Sequence, residues 1–238
     1  MSDLKDRRAA KKAQTRELIR HVAQQLFAEH GFDQVTIADI AKRADVAVQT
    51  VFNHFTTKEE LFFDRRTPWV DGPASAVRTR LPSTPPLVAL RAYLVDQVGR
   101  LLRSWASPER RCYVETVHAS DALRAQEREL VHEAERLLSA ALSDAWTAEG
   151  AVDAPADPLT AAPITAAVWL SAARVMVLEQ RPLLHAGLEP DRAASATMAF
   201  ADRLLAQMET CLGLISGLPA PLLRPDTGWP EPRALQVG

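Results

Sequence analysis

One apolar pattern occurs twice between residues 37 and 55, each time with apolar side chains at positions i, i+3, i+4 and i+7. The first set is Ile37, Ile40, Ala41 and Ala44, and the second is Val48, Val51, Phe52 and Phe55. This spacing places each set on one face of a short helix. Because residues 44–47 leave room only for a tight turn, the two faces must pack against each other. The pattern predicts a helix-turn-helix.

Residues typical of helix ends flank this unit. Thr36 and Asp39 are spaced as a capping box at the head of the first helix, and Thr57 and Glu60 repeat the spacing farther along. Upstream, an amphipathic helix with an apolar face ends at Gly31, where glycine can adopt the left-handed conformation of a helix terminus. That face is formed by Leu18, Ile19, Val22, Ala23, Leu26 and Phe27. We therefore expect a three-helix unit followed by a connector helix.

Burial of the second apolar face would leave Gln49, Thr50, Asn53 and His54 facing solvent. Gln49 and Asn53 lie one helical turn apart, so their amides share one edge. An amide donates and accepts hydrogen bonds at once, which suits the donor and acceptor that adenine presents in the major groove. The second helix is therefore predicted to read DNA.

The segment from Gly31 to Leu61 resembles the DNA-binding domain of tetracycline-repressor-type (TetR family) bacterial transcription regulators. Matching residues at fixed spacing are Gly31, Thr36, Ile40, Ala41, Ala44, Val46, Thr50, Val51, Phe52, His54, Phe55, Lys58 and Leu61. The resemblance covers the N-terminal quarter, and the rest of the chain resembles the family in layout alone. Ala47 and Phe52 depart from a usual serine and a common tyrosine, so two hydroxyl contacts with phosphate are missing. Asp45 replaces the usual turn glycine and tolerates left-handed backbone.

The resemblance implies that Gln49 and Thr50 approach base edges and that Asn53 reaches a base or the backbone. Thr36, at a helix N-terminus, would contact a phosphate, and His54 and Lys58 would hold phosphates beside the groove. Alternatives stay open for these residues. Thr36 is a good N-cap in any protein, His54 can pack near a helix end, and exposed amides such as Gln49 and Asn53 are common.

Basic residues are concentrated at the start of the chain, although the net charge is only −2. They are Lys5, Arg7, Arg8, Lys11, Lys12, Arg16 and Arg20, against Asp3, Asp6 and Glu17. Beside a helix-turn-helix, Arg7, Arg8, Lys11 and Lys12 are expected to form an arm that contacts phosphates without reading sequence. A merely solvated tail is the alternative.

The composition favours an all-α protein, because 47% of the 238 residues are hydrophobic, only nine are glycine, and no alternating strand pattern is evident. We expect no apolar run long enough for a membrane span and no secretory signal. The two cysteines suggest no disulfide framework. The six histidines show no helical metal-ligand spacing, and there is no phosphate-binding glycine loop or serine elbow. We therefore expect no enzyme activity, metal or cofactor.

The remaining chain is expected to form a second, helical domain. The predicted division is an arm and helix-turn-helix domain over 1–57, an effector-binding and dimerisation domain over 58–216 with its connector helix at 58–66, and an irregular proline-rich tail over 217–238. Within the second domain we predict loops over 68–86 and 150–163. Helices are predicted from about 86 to 105, 108 to 118, 121 to 148, 164 to 180 and 191 to 214.

The last two predicted helices are rich in apolar and small residues and need cover on most sides. The resemblance implies that they pair two copies into a homodimer, with buried core as the alternative. It also implies an effector pocket in the second domain, with walls at Tyr93, Trp105, Cys112, His118, Trp146 and Trp169. This lining would suit a small apolar organic effector, although each of these residues can equally be plain core.

Together these features predict a cytoplasmic bacterial transcriptional regulator that binds double-stranded DNA. The resemblance implies a repressor that a small molecule releases from an inverted-repeat operator, with no role at a membrane. Activation would leave the same marks in the sequence. The alternative function is a helical adaptor whose helix-turn-helix binds protein, since a fold does not fix a function.

Overall fold

The structure is a computed structural model that describes residues 2–148, 151 and 153–215, and it is helical with no strand in those residues. The α-helices are α1 (Ser2–His30), α2 (Ile37–Arg43), α3 (Val48–Phe52), α4 (Lys58–Phe63), α5 (Pro68–Arg78), α6 (Pro86–Arg103), α7 (Pro108–Ala119), α8 (Asp121–Thr147), α9 (Pro158–His185) and α10 (Pro190–Ile215). A short 3₁₀ turn covers Ser104–Ala106. The all-α prediction is confirmed. The predictions for the tail from residue 217 and for a loop at Gly150 lie outside the described residues.

The N-terminal core is built where α1, α2, α3 and α4 meet. It contains the apolar residues predicted for α1 and α2, namely Ile19, Val22, Ala23, Leu26, Phe27, Ile40, Ala41 and Ala44, with Ile37 partly buried beside them. Leu18 is an exception, because this member of the predicted apolar face is 47% exposed and lies outside the core. The helix ends at Gly31 as expected, with a φ of +80°.

Helix α4 belongs to this same core. Leu61, Phe62 and Phe63 are buried among the α1 and α2 side chains. Residues 58–66 are predicted from the sequence to belong to the second domain, whereas the structure buries Leu61, Phe62 and Phe63 of this segment in the N-terminal core. Val117 from α7 and Leu123 from α8 also reach this core. The helix-turn-helix unit and the second domain are therefore joined by packed side chains, not by a loose linker.

The second domain consists of α5 to α10. Helix α6 packs mainly on α10, α5 on α8, and α8 on α9. Trp146 and Trp169 lie in its main core together with Leu90, Leu138 and Leu142. A smaller cluster around Val98, Leu102 and Trp105 continues the core toward α7 and the start of α10.

Two predicted loops are partly helical. Helix α5 occupies Pro68–Arg78 within the predicted loop 68–86, and α9 begins at Pro158 within the predicted loop 150–163. Proline starts both helices, where its missing N–H removes no helical hydrogen bond. Helix α5 also contains one internal proline, Pro73, and α9 contains two, Pro163 and Pro182, each of which costs one backbone bond. In α5 the burial of Ala74 and Val77 offsets this cost, so tertiary packing overrides the local composition.

Helix α9 is long and apolar enough to cross a membrane by length and composition, so the expectation that no segment reaches that length is wrong. Only 28% of its most apolar window is buried within this chain. Its neighbours α6, α8 and α10 cover only that buried part. The helix therefore presents an apolar face that this chain alone leaves uncovered.

Candidate nucleic-acid interface

The head of α2 is closed by the predicted capping box. Thr36 Oγ1 accepts a hydrogen bond from the Asp39 amide at 3.2 Å, and Asp39 Oδ2 accepts from the Thr36 amide at 2.9 Å and from its hydroxyl at 2.6 Å. These bonds from the Thr36 hydroxyl and amide lower the pKa of the Asp39 carboxyl. Thr36 is exposed, so the cap leaves the head of α2 open to solvent.

The turn between α2 and α3 has the backbone that the sequence requires. Asp45 has a φ of +52°, and the Val46 amide donates to the Ala41 carbonyl at 3.0 Å. Ala47 is the N-cap of α3 and supplies no side-chain hydrogen bond there. A five-residue helix without a side-chain cap is marginal by itself, so α3 depends on its packing against α2.

Only half of the predicted apolar face of α3 is buried. Val51 and Phe55 are buried at 0% and 1% exposure, whereas Val48 and Phe52 are 42% and 47% exposed. The prediction that all four are buried is therefore wrong for two of them. Since α3 is short, α2 and α1 cover only a narrow strip of it. Val48 and Phe52 lie one helical turn apart, beside the covered strip, and remain exposed.

The exposed surface of α3 is consequently a mixed apolar and amide face. Gln49 and Asn53 are exposed as predicted, and Gln49 Nε2 donates to Asn53 Oδ1 at 3.3 Å. Val48 and Phe52 adjoin this pair, so the four side chains form one continuous patch, which we call the α3 face. Sequence reasoning missed its two apolar members because periodicity assigned them to the core.

Thr50 and His54 occupy the flank of α3 and are only partly exposed. His54 Nδ1 is buried and has no hydrogen-bond partner among the described residues. Burial lowers the pKa of His54, and the positive charges of Lys12 and Arg16 lower it further. The imidazole is therefore held in its neutral form next to the basic N-terminal helix.

Lys58 lies against the end of the α1–α2 connection. Its ammonium donates to the carbonyls of Phe32 at 2.9 Å and Val35 at 3.0 Å and sits 4.2 Å from the centre of the Phe32 ring. The structure thus gives Lys58 an internal function as a clamp on two loop carbonyls. The phosphate contact predicted for Lys58 would have to use the third N–H group of the ammonium.

The basic N-terminus continues α1 as a helix and not as an extended arm. Arg7, Arg8, Lys11 and Lys12 are exposed on it. Two other basic residues of this segment are engaged inside the domain. Arg16 binds Asp64 at 2.7 Å, donates to the His54 carbonyl and stacks on Phe55, and Arg20 pairs with Glu17. The exposed part of the basic segment therefore ends near Lys12, close to the C-terminal end of α3.

The second domain contains a cavity of about 620 Å³ between α5, α6, α7, α8 and α9. Of the six predicted wall residues, Tyr93 lines it. Trp105, Trp146 and Trp169 are buried in the core instead. Cys112 and His118 are exposed. Sequence reasoning selected the large aromatic residues, and these fill the core because they bury the most apolar surface.

Comparison with known proteins agrees with this geometry. The geometry is a helix-turn-helix with an exposed second helix and a basic neighbouring helix. The family model described as bacterial regulatory proteins, tetR family, matches residues 19–64. The chain is therefore a DNA-binding transcriptional regulator that carries the DNA-binding domain of the tetR family.

Solved structures share the fold over most of the chain. One is a complex of SmeT, from Stenotrophomonas maltophilia, with triclosan; it is 22% identical, with coverage of 79% of this chain and 90% of that chain and a TM-score of 0.51. Another is NalD from Pseudomonas aeruginosa, at 21% identity, coverage of 81% and 96%, and a TM-score of 0.51. None of the curated proteins matches this chain in a sequence comparison.

Proposed function

We propose that this protein is a homodimeric repressor that binds an inverted-repeat operator and is released by a small molecule. The observation that carries the proposal is the α3 face, because Gln49 and Asn53 there offer amides to base edges next to exposed apolar groups. The major groove of B-DNA is wide enough to admit an α-helix such as α3. The exposed basic residues from Arg7 to Lys12 provide charge for phosphate contacts on the same side of the domain.

Phosphate contacts are assigned to residues that border the α3 face. Thr36 offers an exposed hydroxyl at the capped N-terminus of α2. His54, held neutral, can donate a hydrogen bond without carrying charge. Lys58 contributes positive charge, although its ammonium already donates hydrogen bonds to two backbone carbonyls. Lys12 lies near enough to affect the pKa of His54, which supports a common phosphate-contacting surface.

The uncovered face of α9 supports the homodimer. Ile164, Val168 and Val175 are about half exposed and lie on one side of the helix, and Phe200 of α10 is equally exposed. Contiguous apolar surface of this kind marks an interface. A two-fold axis through α9 and α10 would place two α3 faces on successive half-sites, as an inverted repeat requires.

Release by a small molecule is supported by the cavity and by its connection to the N-terminal core. Arg110 of the cavity wall lies 4.8 Å from the centre of the Tyr113 ring, and that ring stacks on Phe62 of α4 at 5.2 Å. Ser120 also donates to Asp33 at 2.8 Å. SmeT and NalD are named as repressors of multidrug efflux pumps, and SmeT has been captured with triclosan.

The test is fluorescence anisotropy of the purified protein on labelled DNA from upstream of its own gene, beside a random duplex and a salt series. We expect binding to the upstream fragment at least about a thousandfold tighter than to random DNA. Equal, weak and salt-sensitive binding to both duplexes would contradict specific recognition of that fragment. Absence of binding at low salt would favour the protein-binding adaptor.

A further inference from the structure

The cavity of the second domain is lined by two chemically different kinds of side chain. Apolar side chains from α6 and α9 line it, among them Leu94, Val98, Leu101, Leu170, Ala173 and Val177. Arg110 of α7, Glu127 of α8, Arg181 of α9 and Gln97 of α6 also line the cavity and are polar. A wholly apolar ligand would leave these polar groups without partners, at a cost in free energy.

Arg110 is the most unusual of these groups. In the part of the chain that the structure describes, no acceptor lies within hydrogen-bond distance of its guanidinium. The group lies 4.8 Å from the centre of the Tyr113 ring, and the negative charge of Glu127 acts on it only from beyond ion-pair distance. Arg181 has a single partner, the ring nitrogen of His118 at 2.6 Å. Neither guanidinium forms an ion pair with a carboxylate of the described residues. Partly buried cations in folded proteins normally have such a partner.

The charge around Tyr113 is unbalanced. Arg66, Arg110 and Arg181 all act on this ring, whereas Glu127 is the acidic residue that acts on it. Burial lowers the pKa of each of the three guanidinium groups and raises the pKa of Tyr113 to about 12. Three positive charges against one negative charge leave this region short of anions.

The neutral amide of Gln97 adds a donor to the same cavity. Gln97 is 7% exposed, and its Oε1 accepts a hydrogen bond from Arg100 at 3.0 Å. Its Nε2 has no acceptor among the described residues. The remaining charged wall residues are of both signs and mostly exposed, namely Arg128, Glu129, His132, Glu135 and Arg174. They therefore favour neither sign of ligand charge.

We propose that the cavity binds an organic acid, with its carboxylate held by Arg110 and Arg181 and its apolar body against Leu94, Val98 and Val177. The proposal rests on the proposed function and refines it, because it replaces a wholly apolar effector with an anionic one. Guanidinium groups match the planar carboxylate and bind it through charge-assisted hydrogen bonds. The volume of about 620 Å³ is in the range of sites for drug-sized ligands.

The experiment measures binding of two carboxylates, decanoate and 1-naphthoate, and of their neutral amides by isothermal titration calorimetry. We expect each acid to bind at least about tenfold more tightly than its amide, the effect of one charge-assisted hydrogen bond. Arg110→Gln and Arg181→Gln should each remove that preference. Arg128→Gln, at an exposed wall position, is the matched control and should retain it.

Glu127→Gln provides a second, opposite readout. It removes the negative charge that competes with the ligand, so the acids should bind more tightly to this variant than to the wild type. The melting temperature of every variant without ligand is measured alongside, to show that each is folded. Equal affinity for acids and amides, or an undiminished preference in folded Arg110→Gln and Arg181→Gln, would overturn the proposal.

Anisotropy on the upstream DNA separates this inference from the proposed function. Acids that bind and lower the DNA affinity support both. Acids that bind while the DNA affinity stays unchanged support the anion site and contradict release by this ligand. Specific DNA binding by a protein that binds neither acid overturns the anion site and leaves the regulator intact.

Discussion

At the residue scale, the α3 face combines two kinds of side chain that suit different bases under the proposed function. Gln49 and Asn53 offer donors and acceptors, which suit adenine, while Val48 and Phe52 offer apolar surface, which suits the methyl group of thymine. Phe52 has no hydroxyl to offer a phosphate, and its exposed ring enlarges the apolar part of the face. We therefore expect the proposed operator to have an A·T-rich half-site.

Gln49→Ala is expected to relax the preference at particular operator bases, at a cost of about 1–3 kcal/mol on the correct site. Lys12→Ala is the matched control, because a phosphate contact should weaken binding to every sequence and reduce the salt slope by about one unit. Competition anisotropy with single-base operator variants measures both effects. A uniform loss for Gln49→Ala would remove it from the base-reading residues.

His54 makes folding stability depend on pH. Its pKa is below the ordinary value of 6.5 because of burial and the nearby Lys12 and Arg16. The unfolded chain therefore binds a proton at a higher pH than the folded chain does, so stability falls as the pH drops below about 6.5, by less than about 1.4 kcal/mol per pH unit. Urea unfolding of the wild type and His54→Gln at pH 7.5 and 5.5 tests this. A pH dependence identical in the two proteins would contradict it.

At the element scale, the contact between α5 and α6 depends on a glycine. A Cβ atom at Gly72 would overlap the hydroxyl and ring of Tyr93, which donates to the Pro68 carbonyl at 3.1 Å and lines the cavity. This close approach keeps α5, a helix that composition alone would not predict, seated against the second domain. The glycine therefore fixes both the position of the helix and one wall of the cavity.

Gly72→Ala is expected to lower the free energy of unfolding by about 1–3 kcal/mol, because overpacking outweighs the better helix propensity of alanine. Thermal or urea unfolding measures the change. In the double variant Gly72→Ala with Tyr93→Leu the obstruction is absent, so the cost of the alanine should shrink. A cost that stays the same in the Tyr93→Leu background would show that the overlap is not its cause.

At the scale of the whole molecule, the uncovered face of α9 has two physical explanations, a second copy of this chain or a membrane. Val168→Glu places a charge on that face, which the proposed dimer would bury against apolar groups. We expect this variant to be monomeric by light scattering and to lose most of its affinity for the operator, since both half-sites are no longer engaged together.

Leu81→Glu is the control for this variant, because Leu81 is 70% exposed in the connection between α5 and α6. It should remain dimeric and bind the operator as the wild type does. A wild-type protein that is monomeric in solution would contradict the dimer, and recovery of the wild type in a membrane fraction would favour the other explanation for α9.

The connection between the two halves of the molecule also belongs to this scale. Phe62 and Phe63 of α4 contact Tyr113 of α7, and Ser120, which is 2% exposed, binds Asp33. The cavity and the helix-turn-helix thus share a packed boundary at α7. A ligand that moves Arg110 acts directly on the ring that supports α4, which gives the proposed release a structural route.

The sequence by itself determined the helix-turn-helix, the capping box of α2 and the left-handed turn residue Asp45. These features depend on interactions between residues close in sequence, so the spacing of those residues along the chain is enough to predict them. The same holds for the starts of α6 and α7, where proline occupies the first position. The amides of α3 were also assigned correctly to the surface.

Tertiary structure alone decided which side of a short helix is covered, which prolines are accommodated within a helix and which side chains border a cavity. Val48 and Phe52 are exposed because α1 and α2 cover only a narrow strip of α3, and α5 is helical because Ala74 and Val77 are buried against other helices. Arg110 and Arg181 come from helices about 70 residues apart in sequence. Their missing partners become visible only when the packing of α6, α7, α8 and α9 brings both guanidinium groups to one cavity.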